Sequence, residues 1–430
     1  MKTQYALPPA FPTRREFLKS AALAGSAATL ASTVSRAAEP STHDGRGITS
    51  LTDHLRTAPV TSSPSAEPLA PPDKQPAKLE IPTPRRKAGW AVVGLGELAL
   101  GEVLPAILSC ENTRLVALVS GHPEKARKVA DAYQVKHDAI YTYEDFDRIR
   151  DNPEIDVVYI ALPNSMHAEY SIRASQAGKH VLCEKPMAVT VAECEQMIRA
   201  AKTAGKLLGV AYRLHHEPMN RAVMEMCRER KFGGLKLFSS EHCQNVRAPN
   251  IRLSAALGGG AVGDLGVYSI NAGRYITSEE PVEATASAYW GNNDARFREV
   301  PESVAYLLRY PSGVMATCSC SFGTATSSRY RVLFEKGFIE MDPAFAYRGL
   351  RLKVSEKSSW EGTPKVGEIL FEPVNQFARQ FDDFSRRTFF GQQPASPGEE
   401  GLADIKIILA IHESIRTGQP VKISTATSNP

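Results

Sequence analysis

The chain has 430 residues, of which 43% are hydrophobic and 23% are charged; these ordinary values exclude collagen-like, coiled-coil and wholly disordered proteins and permit two domains. Its formal net charge of +4 resides in residues 1–38, which hold five basic residues and one acidic residue. Residues 39–430 are neutral overall. A nucleic-acid-binding protein needs a basic surface, so the charge does not favour that class.

The N-terminal residues have the pattern of an export signal. Arg14 and Arg15 precede Phe-Leu-Lys, and the apolar stretch that follows, 21–31, has about eleven residues, against the ~20 that span a bilayer. A small-x-Ala cleavage pattern ends at Ala37. We therefore predict a twin-arginine signal peptide over 1–38, with the export machinery as a partner, no stable membrane insertion and a periplasmic location. The alternatives are a general secretory signal and a short surface helix.

The next segment, 39–86, holds nine prolines and no aromatic residue. Such a composition offers too little apolar surface to offset the chain entropy lost on folding. We predict an extended, proline-rich arm with no core of its own.

The seven cysteines are odd in number and lack zinc-site spacing. Cys318 and Cys320 share one face of a predicted strand, but no other ligand type lies near them in the sequence. We interpret the cysteines as buried small hydrophobic residues and expect no metal.

From residue 87 the sequence alternates short apolar runs with amphipathic stretches, which indicates repeated βαβ units. We predict a Rossmann dinucleotide-binding domain over 87–215, with a parallel sheet covered on both faces. Its strands are predicted at 89–94, 114–119, 139–143, 155–162, 180–184 and 206–212, and its helices at 123–133, 166–177 and 191–204.

Residues 216–430 show longer strands punctuated by hairpin turns, at 311–313 and 335–337. This pattern predicts a second domain built on a mostly antiparallel, open β-sheet, so the fold class is α/β followed by α+β. Strands are expected at 303–310, 314–321, 330–334 and 338–341, and helices at 219–230, 263–275, 376–388 and 399–416.

The segment that follows the first predicted strand fits the dinucleotide fingerprint, with alanine in the third small position. Glycines there allow a tight turn and a close approach of backbone to pyrophosphate, and the helix N-terminus supplies N–H groups. The cofactor-binding residues predicted in this turn are Gly94, Leu95, Gly96, Glu97 and Leu98.

The second strand ends in Ser120-Gly121, where NAD enzymes usually carry an acidic residue. A hydroxyl and the nearby Lys125 suit a 2′-phosphate, which a carboxylate would repel. The sequence therefore favours NADP over NAD.

Two further segments carry side chains suited to proton transfer. Lys185 follows the fifth strand, at the edge where open α/β sheets bind ligands, and could polarise a substrate hydroxyl. Asp264 and Tyr268 are four residues apart after a glycine-rich stretch and so share one helix face. Tyr268 is a candidate proton acceptor if a neighbouring ammonium favours its phenolate. The alternatives are a surface turn and a tyrosine of the core.

Taken together, these motifs make residues 87–423 similar to the glucose-fructose oxidoreductase, inositol dehydrogenase and MocA family. Within this family, the chain most resembles the glucose-fructose oxidoreductase branch. The exported leader and the proline-rich arm strengthen the likeness. The residues that carry it are 93–96, 118–121, 162–165 with His167, 183–187, 212–213, 217–221, 264–268 and 396–401.

The resemblance implies that Lys185 and Tyr268 are catalytic and that Asp264 supports the sugar or the tyrosine. Many relatives have histidine in place of Tyr268, which aligns this chain with the sugar oxidoreductases. Beyond the glycine turn, the implied cofactor-binding residues are Ser120, Lys125, Tyr143, Asn164, His167, Glu184 and Arg213.

The implied activity is that of a sugar oxidoreductase with tightly bound, non-dissociable NADP. It would oxidise an aldose at C1 to the lactone and pass the hydride to a second sugar, giving an alditol such as sorbitol. Residues 250–256 lack the aromatic residue and arginine pair expected beside fructose, so the acceptor is left open as ketose or aldose. A homodimer or homotetramer is expected, through the open sheet face and the arm.

Two rival functions remain. One is a nicotinamide-dependent glycosidase of the same fold, which would cleave an aryl glycoside with no net redox change. The other is a non-catalytic sugar- or nucleotide-binding protein, which would not need Lys185 and Tyr268 together.

Overall fold

A computed structural model of the protein describes residues 86–356 and 365–424. The signal peptide and nearly all of the arm predicted from the sequence lie outside the described residues. Within them, no helix combines the length and the apolar character needed to pass through a bilayer.

The first sheet has six parallel strands in the order β3-β2-β1-β4-β5-β6, which confirms the predicted Rossmann fold. All four residues of Val157–Ile160 are buried, because helices cover both faces of the sheet. The strands are β1 Ala88–Val93, β2 Thr113–Val119, β3 Ile140–Tyr141, β4 Val157–Ile160, β5 His180–Cys183 and β6 Leu208–Val210.

The helices of this region are α1 Leu104–Leu108, α2 Pro123–Tyr133, α3 His167–Gln176 and α4 Val191–Thr203. A π-helical turn, Ala99–Val103, leads into α1. Helix α4 begins with a capping box, in which Thr190 and Glu193 each bond the other's backbone N–H.

The second sheet has nine strands in the order β14-β13-β12-β11-β7-β10-β9-β8-β15. Among the described strands of this sheet, only β7 and β10 pair in parallel, so the predicted mostly antiparallel sheet is confirmed. Its strands are β7 Leu235–Asn245, β8 Glu283–Tyr289, β9 Ser303–Arg309, β10 Met315–Ser321, β11 Gly323–Phe334, β12 Gly337–Met341, β13 Leu352–Glu356, β14 Lys365–Ile369 and β15 Val421–Lys422.

Helices α5 (Pro218–Arg228) and α6 (Val267–Thr277) belong to this second region, and a π-helical turn, Val262–Gly266, leads into α6. Hydroxyl groups tie this helix to the sheet: Ser269 Oγ lies 2.7 Å from Ser240 Oγ, and Tyr306 donates to the Gly266 carbonyl at 2.9 Å. The first turn of α6 is therefore held at a fixed height above the strands.

The last two helices, α7 (Gln376–Phe390) and α8 (Gly398–Thr417), return to the first sheet, although the sequence groups them with the second. The fully buried Trp90 of β1 donates to Ser385 Oγ at 2.9 Å, and its ring lies 5.0 Å from that of Phe381. Ser414 of α8 accepts from the N–H of Ala286 in β8, so this helix also reaches the second sheet.

Candidate active site

The glycine-rich turn leaves β1 at the carboxyl edge of the parallel sheet. Gly94 has φ +92°, and a Cβ placed there would lie 2.3 Å from the Ala161 carbonyl oxygen, so only glycine fits. Gly96 and Glu97 are exposed, Leu95 is buried and Leu98 is half-buried against the core. A Cβ at Gly96 would meet no atom within 4 Å, so space remains in front of this turn. The turn therefore fits the pyrophosphate of a dinucleotide.

The end of β2 is polar and carries no acidic side chain. Ser120 Oγ is buried and accepts from the His122 N–H at 3.1 Å. The Tyr143 ring packs on Gly121, where a Cβ would lie 3.0 Å from a ring carbon. Burial raises the pKa of Tyr143 to about 12, so its hydroxyl keeps its proton. Lys125 is exposed in the first turn of α2. These groups fit a nucleotide with a 2′-phosphate.

Glu184 and Lys185 follow β5, and the Lys185–Pro186 peptide bond is cis. The Glu184 carboxylate is buried, accepts from the Tyr159 hydroxyl and accepts from the Lys185 N–H at 3.2 Å. Burial raises the pKa of Glu184, and the nearby Lys185 opposes this rise. The turn that carries Lys185 is thus anchored to the sheet through Glu184.

His167 lies beneath the same turn and has no exposed surface. Its Nδ1 is 2.9 Å from the Pro186 carbonyl oxygen, and its Nε2 is 2.9 Å from the Leu162 carbonyl oxygen. Burial lowers the pKa of His167, although both carbonyls oppose this. The cofactor contact expected of this side chain is therefore not favoured by the geometry, which gives His167 the role of holding the turn. Asn164, by contrast, is half-buried and donates to the Gly258 carbonyl at 2.8 Å.

Lys185 and Asp264 meet although 79 residues separate them. The Lys185 ammonium donates to the Asp264 backbone carbonyl at 3.0 Å and to its Oδ1 at 3.2 Å. Arg252 Nε donates to Oδ2 of the same carboxylate at 2.7 Å. Burial acts to raise the pKa of Asp264, but Lys185 and Arg252 outweigh it and hold the pKa well below its ordinary value. The carboxylate is therefore ionised and bound by two cations.

Tyr268 stands beside this pair, in the first turn of α6. The Lys185 ammonium lies over its ring, 4.7 Å from the centroid. Its hydroxyl accepts from Arg213 Nη2 at 3.4 Å. The His242 ring meets that of Tyr268 at 5.1 Å with an interplanar angle of 74°. The structure thus brings Lys185, Asp264, Tyr268 and Arg213 together at one place, beside the carboxyl edge of the parallel sheet.

Several residues of this cluster carry no signal in the sequence. Arg252 belongs to no motif, and residues 250–256 differ from the family pattern. His242 lies on β7, a strand that the sequence does not indicate clearly because polar side chains occupy much of it. The Phe345 ring, 5.6 Å from that of Tyr268, comes from a loop without any sequence signal. His215 is the histidine that could carry the proton if Tyr268 does not; its Nε2 lies 2.8 Å from Asn271 Oδ1 and its ring lies against Tyr275.

Comparisons with known proteins agree with this fold. A family model described as "oxidoreductase family, NAD-binding Rossmann fold" matches residues 88–212, and the GFO/IDH/MocA C-terminal domain matches residues 220–340. The crystal structure of the aldose-aldose oxidoreductase from Caulobacter crescentus, in complex with glycerol, is similar. It is 40% identical with a TM-score of 0.74, and the match covers 78% of this chain and 100% of that one.

Two curated relatives are also similar over most of their length. The D-xylose 1-dehydrogenase [NADP(+)] of Haloarcula marismortui is 32% identical over 346 residues, covering 78% of this chain and 92% of the relative. The 1,5-anhydro-D-fructose reductase of Ensifer adhaerens is 26% identical, covering 78% and 98%. The family resemblance inferred from the motifs is therefore confirmed. The chain belongs to the GFO/IDH/MocA family of oxidoreductases, and its first sheet is the NAD(P)-binding Rossmann domain of that family.

Proposed function

We propose that the protein is an exported, NADP-containing sugar oxidoreductase that oxidises an aldose at C1 to the lactone and reduces a second sugar to an alditol. The observation that carries this proposal is the contact of Lys185 with both Asp264 and Tyr268, beside the edge of the sheet that suits a dinucleotide. The names of the relatives, an aldose-aldose oxidoreductase and an NADP-dependent xylose dehydrogenase, support a sugar as substrate.

The residues of the glycine turn, with Ser120 and Lys125, would hold NADP. When bound, this cofactor supplies the group that accepts a hydride from one sugar and returns it to the other. The end of β2 supports NADP over NAD because a carboxylate, which would repel a 2′-phosphate, is absent from residues 119–122.

Lys185 would polarise the reacting oxygen. Burial acts to lower its pKa, but the charges of Tyr268, Asp264 and Glu184 more than offset this and raise the pKa above its ordinary value. Lys185 therefore keeps its proton at neutral pH and serves as a hydrogen-bond donor and fixed positive charge, not as a base. Its two bonds to Asp264 fix the direction in which the third N–H points.

Tyr268 would take the proton from the C1 hydroxyl as the sugar is oxidised and return a proton as the second sugar is reduced. A hydride leaves carbon only as the hydroxyl proton departs, so a base must lie within hydrogen-bond reach of that hydroxyl. Because Lys185 lies against Tyr268, one sugar oxygen can approach both side chains. Asp264, an ionised carboxylate, can accept from a neighbouring sugar hydroxyl.

The export signal and the arm support a periplasmic location and tight retention of NADP. No nicotinamide pool is available outside the cytoplasm, so a cofactor carried out within the folded protein must be recycled in place. A homodimer or homotetramer through the open face of the second sheet completes the proposal. That face exposes large apolar side chains: Leu237 is 41% exposed, Met315 41% and Leu333 37%.

The experiment that tests the proposal is the absorbance at about 340 nm of the purified holoprotein. We expect it to rise on addition of glucose or xylose and to fall again on addition of a second sugar. Cleavage of an aryl glycoside without a net change in absorbance would instead assign a glycosidase. A protein that binds sugars and changes neither signal would be a binding protein.

A further inference from the structure

Arg213 is a buried cation beside Tyr268 that has no role in the proton transfer proposed above. Its side chain is 4% exposed and sits between aromatic rings, with its guanidinium carbon 4.5 Å from the centroid of Tyr347 and 5.3 Å from that of Tyr268. No Asp or Glu of the described residues forms an ion pair with it. A buried guanidinium without a carboxylate partner is costly unless its charge is used.

Neutral oxygens hold Arg213 in place. The Phe345 carbonyl accepts from Nη2, while the Ala346 carbonyl and Gln376 Oε1 accept from Nη1. Gln376 donates its own Nε2 to the carbonyls of Ala346 and Tyr347, at 3.2 and 3.1 Å, which orients its oxygen toward the guanidinium. The charge is therefore fixed in position and left unneutralised by its immediate partners.

Two cations lie close to Tyr268, but they approach different parts of it. Lys185 lies over the ring face and donates two of its three hydrogen bonds to Asp264. Arg213 Nη2 donates to the phenolic oxygen itself, at 3.4 Å. We propose that Arg213 is the positioning residue that orients the Tyr268 oxygen, and that it adds to Lys185 in stabilising the negative charge that forms there. This inference rests on the proposed function, in which Tyr268 exchanges the sugar proton.

Other titratable groups also surround Tyr268, among them His242, Tyr347 and Glu184. His242 meets the ring edge, and burial lowers its pKa to about 4, so it is neutral near pH 7. Burial and then the charge of Tyr268 raise the pKa of Tyr347 to about 12, and burial raises the pKa of Glu184; Lys185 and Arg213 oppose both rises. Because a positive charge on Arg213 favours the phenolate, removing or neutralising it must shift proton transfer toward higher pH.

The test is a tyrosinate absorbance titration of the holoprotein, each variant being compared with the same variant carrying Tyr268→Phe. Gln376→Glu leaves Arg213 in place and gives it a carboxylate partner, and we expect the Tyr268 signal to move up by about one pH unit. Arg213→Gln should move it at least as far, whereas Arg213→Lys should restore most of the wild-type curve. Gln392→Glu, which adds one carboxylate at an exposed position just beyond α7, is the matched control and should change nothing.

The acidic limb of the rate of cofactor reduction by sugar should move by the same amount in the same variants. If the Tyr268 titration stays in place in both Gln376→Glu and Arg213→Gln, the inference is overturned. A shift in Lys185→Met alone would assign the stabilisation to Lys185. The titration needs no sugar, so it tests Arg213 separately. A wild-type protein that no sugar reduces overturns the proposed function alone.

Discussion

The Lys185 ammonium donates to both the backbone carbonyl and the carboxylate of Asp264, so one side chain joins the turn after β5 to the π-helical turn before α6. A contact to the backbone carbonyl survives a change of the Asp264 side chain, whereas the contact to the carboxylate does not. The position of Lys185 is therefore set in part by the fold of residues 262–266, and its electrostatic environment is set by the acid.

Tyr268→Phe removes one oxygen and keeps the ring that packs on His242 and Phe345. We expect a protein that folds and holds NADP but loses roughly 10²–10⁴ in the rate of both half-reactions, the effect of losing a positioned acid-base group. The measurement is stopped-flow reduction of the bound cofactor by glucose. Lys185→Ala should lower this rate by at least the same factor. The double variant should lower it by much less than the product of the two single factors. A Tyr268→Phe rate within about threefold of wild type would contradict the role of Tyr268 and make His215 the next candidate for the base.

Ser120→Asp places a carboxylate at the end of β2. We expect it to weaken NADP by about 1–3 kcal/mol, through repulsion of the 2′-phosphate, and to favour NAD. The measurement is cofactor affinity of protein stripped of its nucleotide, with Ser120→Ala as the control that removes the hydroxyl without adding charge. An unchanged preference in the Asp variant would place the 2′-phosphate elsewhere.

Gly94→Ala should destabilise the protein more than Gly313→Ala, which serves as the control. Both glycines have a similar positive φ, +92° and +88°, so an added side chain disfavours the backbone conformation at both positions. A Cβ at Gly94 also meets the Ala161 carbonyl oxygen at 2.3 Å, whereas one at Gly313 meets nothing within 4 Å. The difference between the melting temperatures of the two variants measures the clash with the Ala161 carbonyl. Equal melting temperatures would show that this clash is absent.

The depressed pKa of Asp264 makes a prediction about acid stability. A carboxyl whose pKa is lower in the folded protein contributes stability above its ordinary pKa, and that contribution is lost as the pH falls below about 4. The difference in melting temperature between wild type and Asp264→Asn should therefore shrink on acidification. Asp294→Asn, which breaks an ion pair with Arg296 at the surface, should show a much smaller difference at neutral pH. A difference for Asp264→Asn that does not vary with pH would contradict the assignment.

Removal of residues 39–86 from a protein that keeps its export signal tests the arm. We expect looser NADP or a smaller oligomer, read from the nucleotide content and from the mass in solution. Full retention of the cofactor together with unchanged assembly would reject both roles.

The Rossmann domain could be predicted because strands such as Val157–Ile160 are short apolar runs that alternate with amphipathic helices, the pattern of parallel strands covered on both faces. Strands β7 and β8 were missed because one face of each is open, so polar residues such as Ser239 and Thr285 alternate with the buried ones. In the site, Lys185 and Tyr268 were predictable from the motifs. Arg252 was not, because its contact with Asp264 depends on how residues 250–260 turn back, and no local pattern records that path.

The packing of α7 against β1 has a consequence for the order in which the protein is made. Trp90 bonds to Ser385, 295 residues later in the chain, and Phe381 and Phe384 cover its ring. Until α7 has been synthesised, the first sheet therefore lacks the side chains that complete the packing around Trp90. We expect the nucleotide-binding domain to reach its full stability only late in translation.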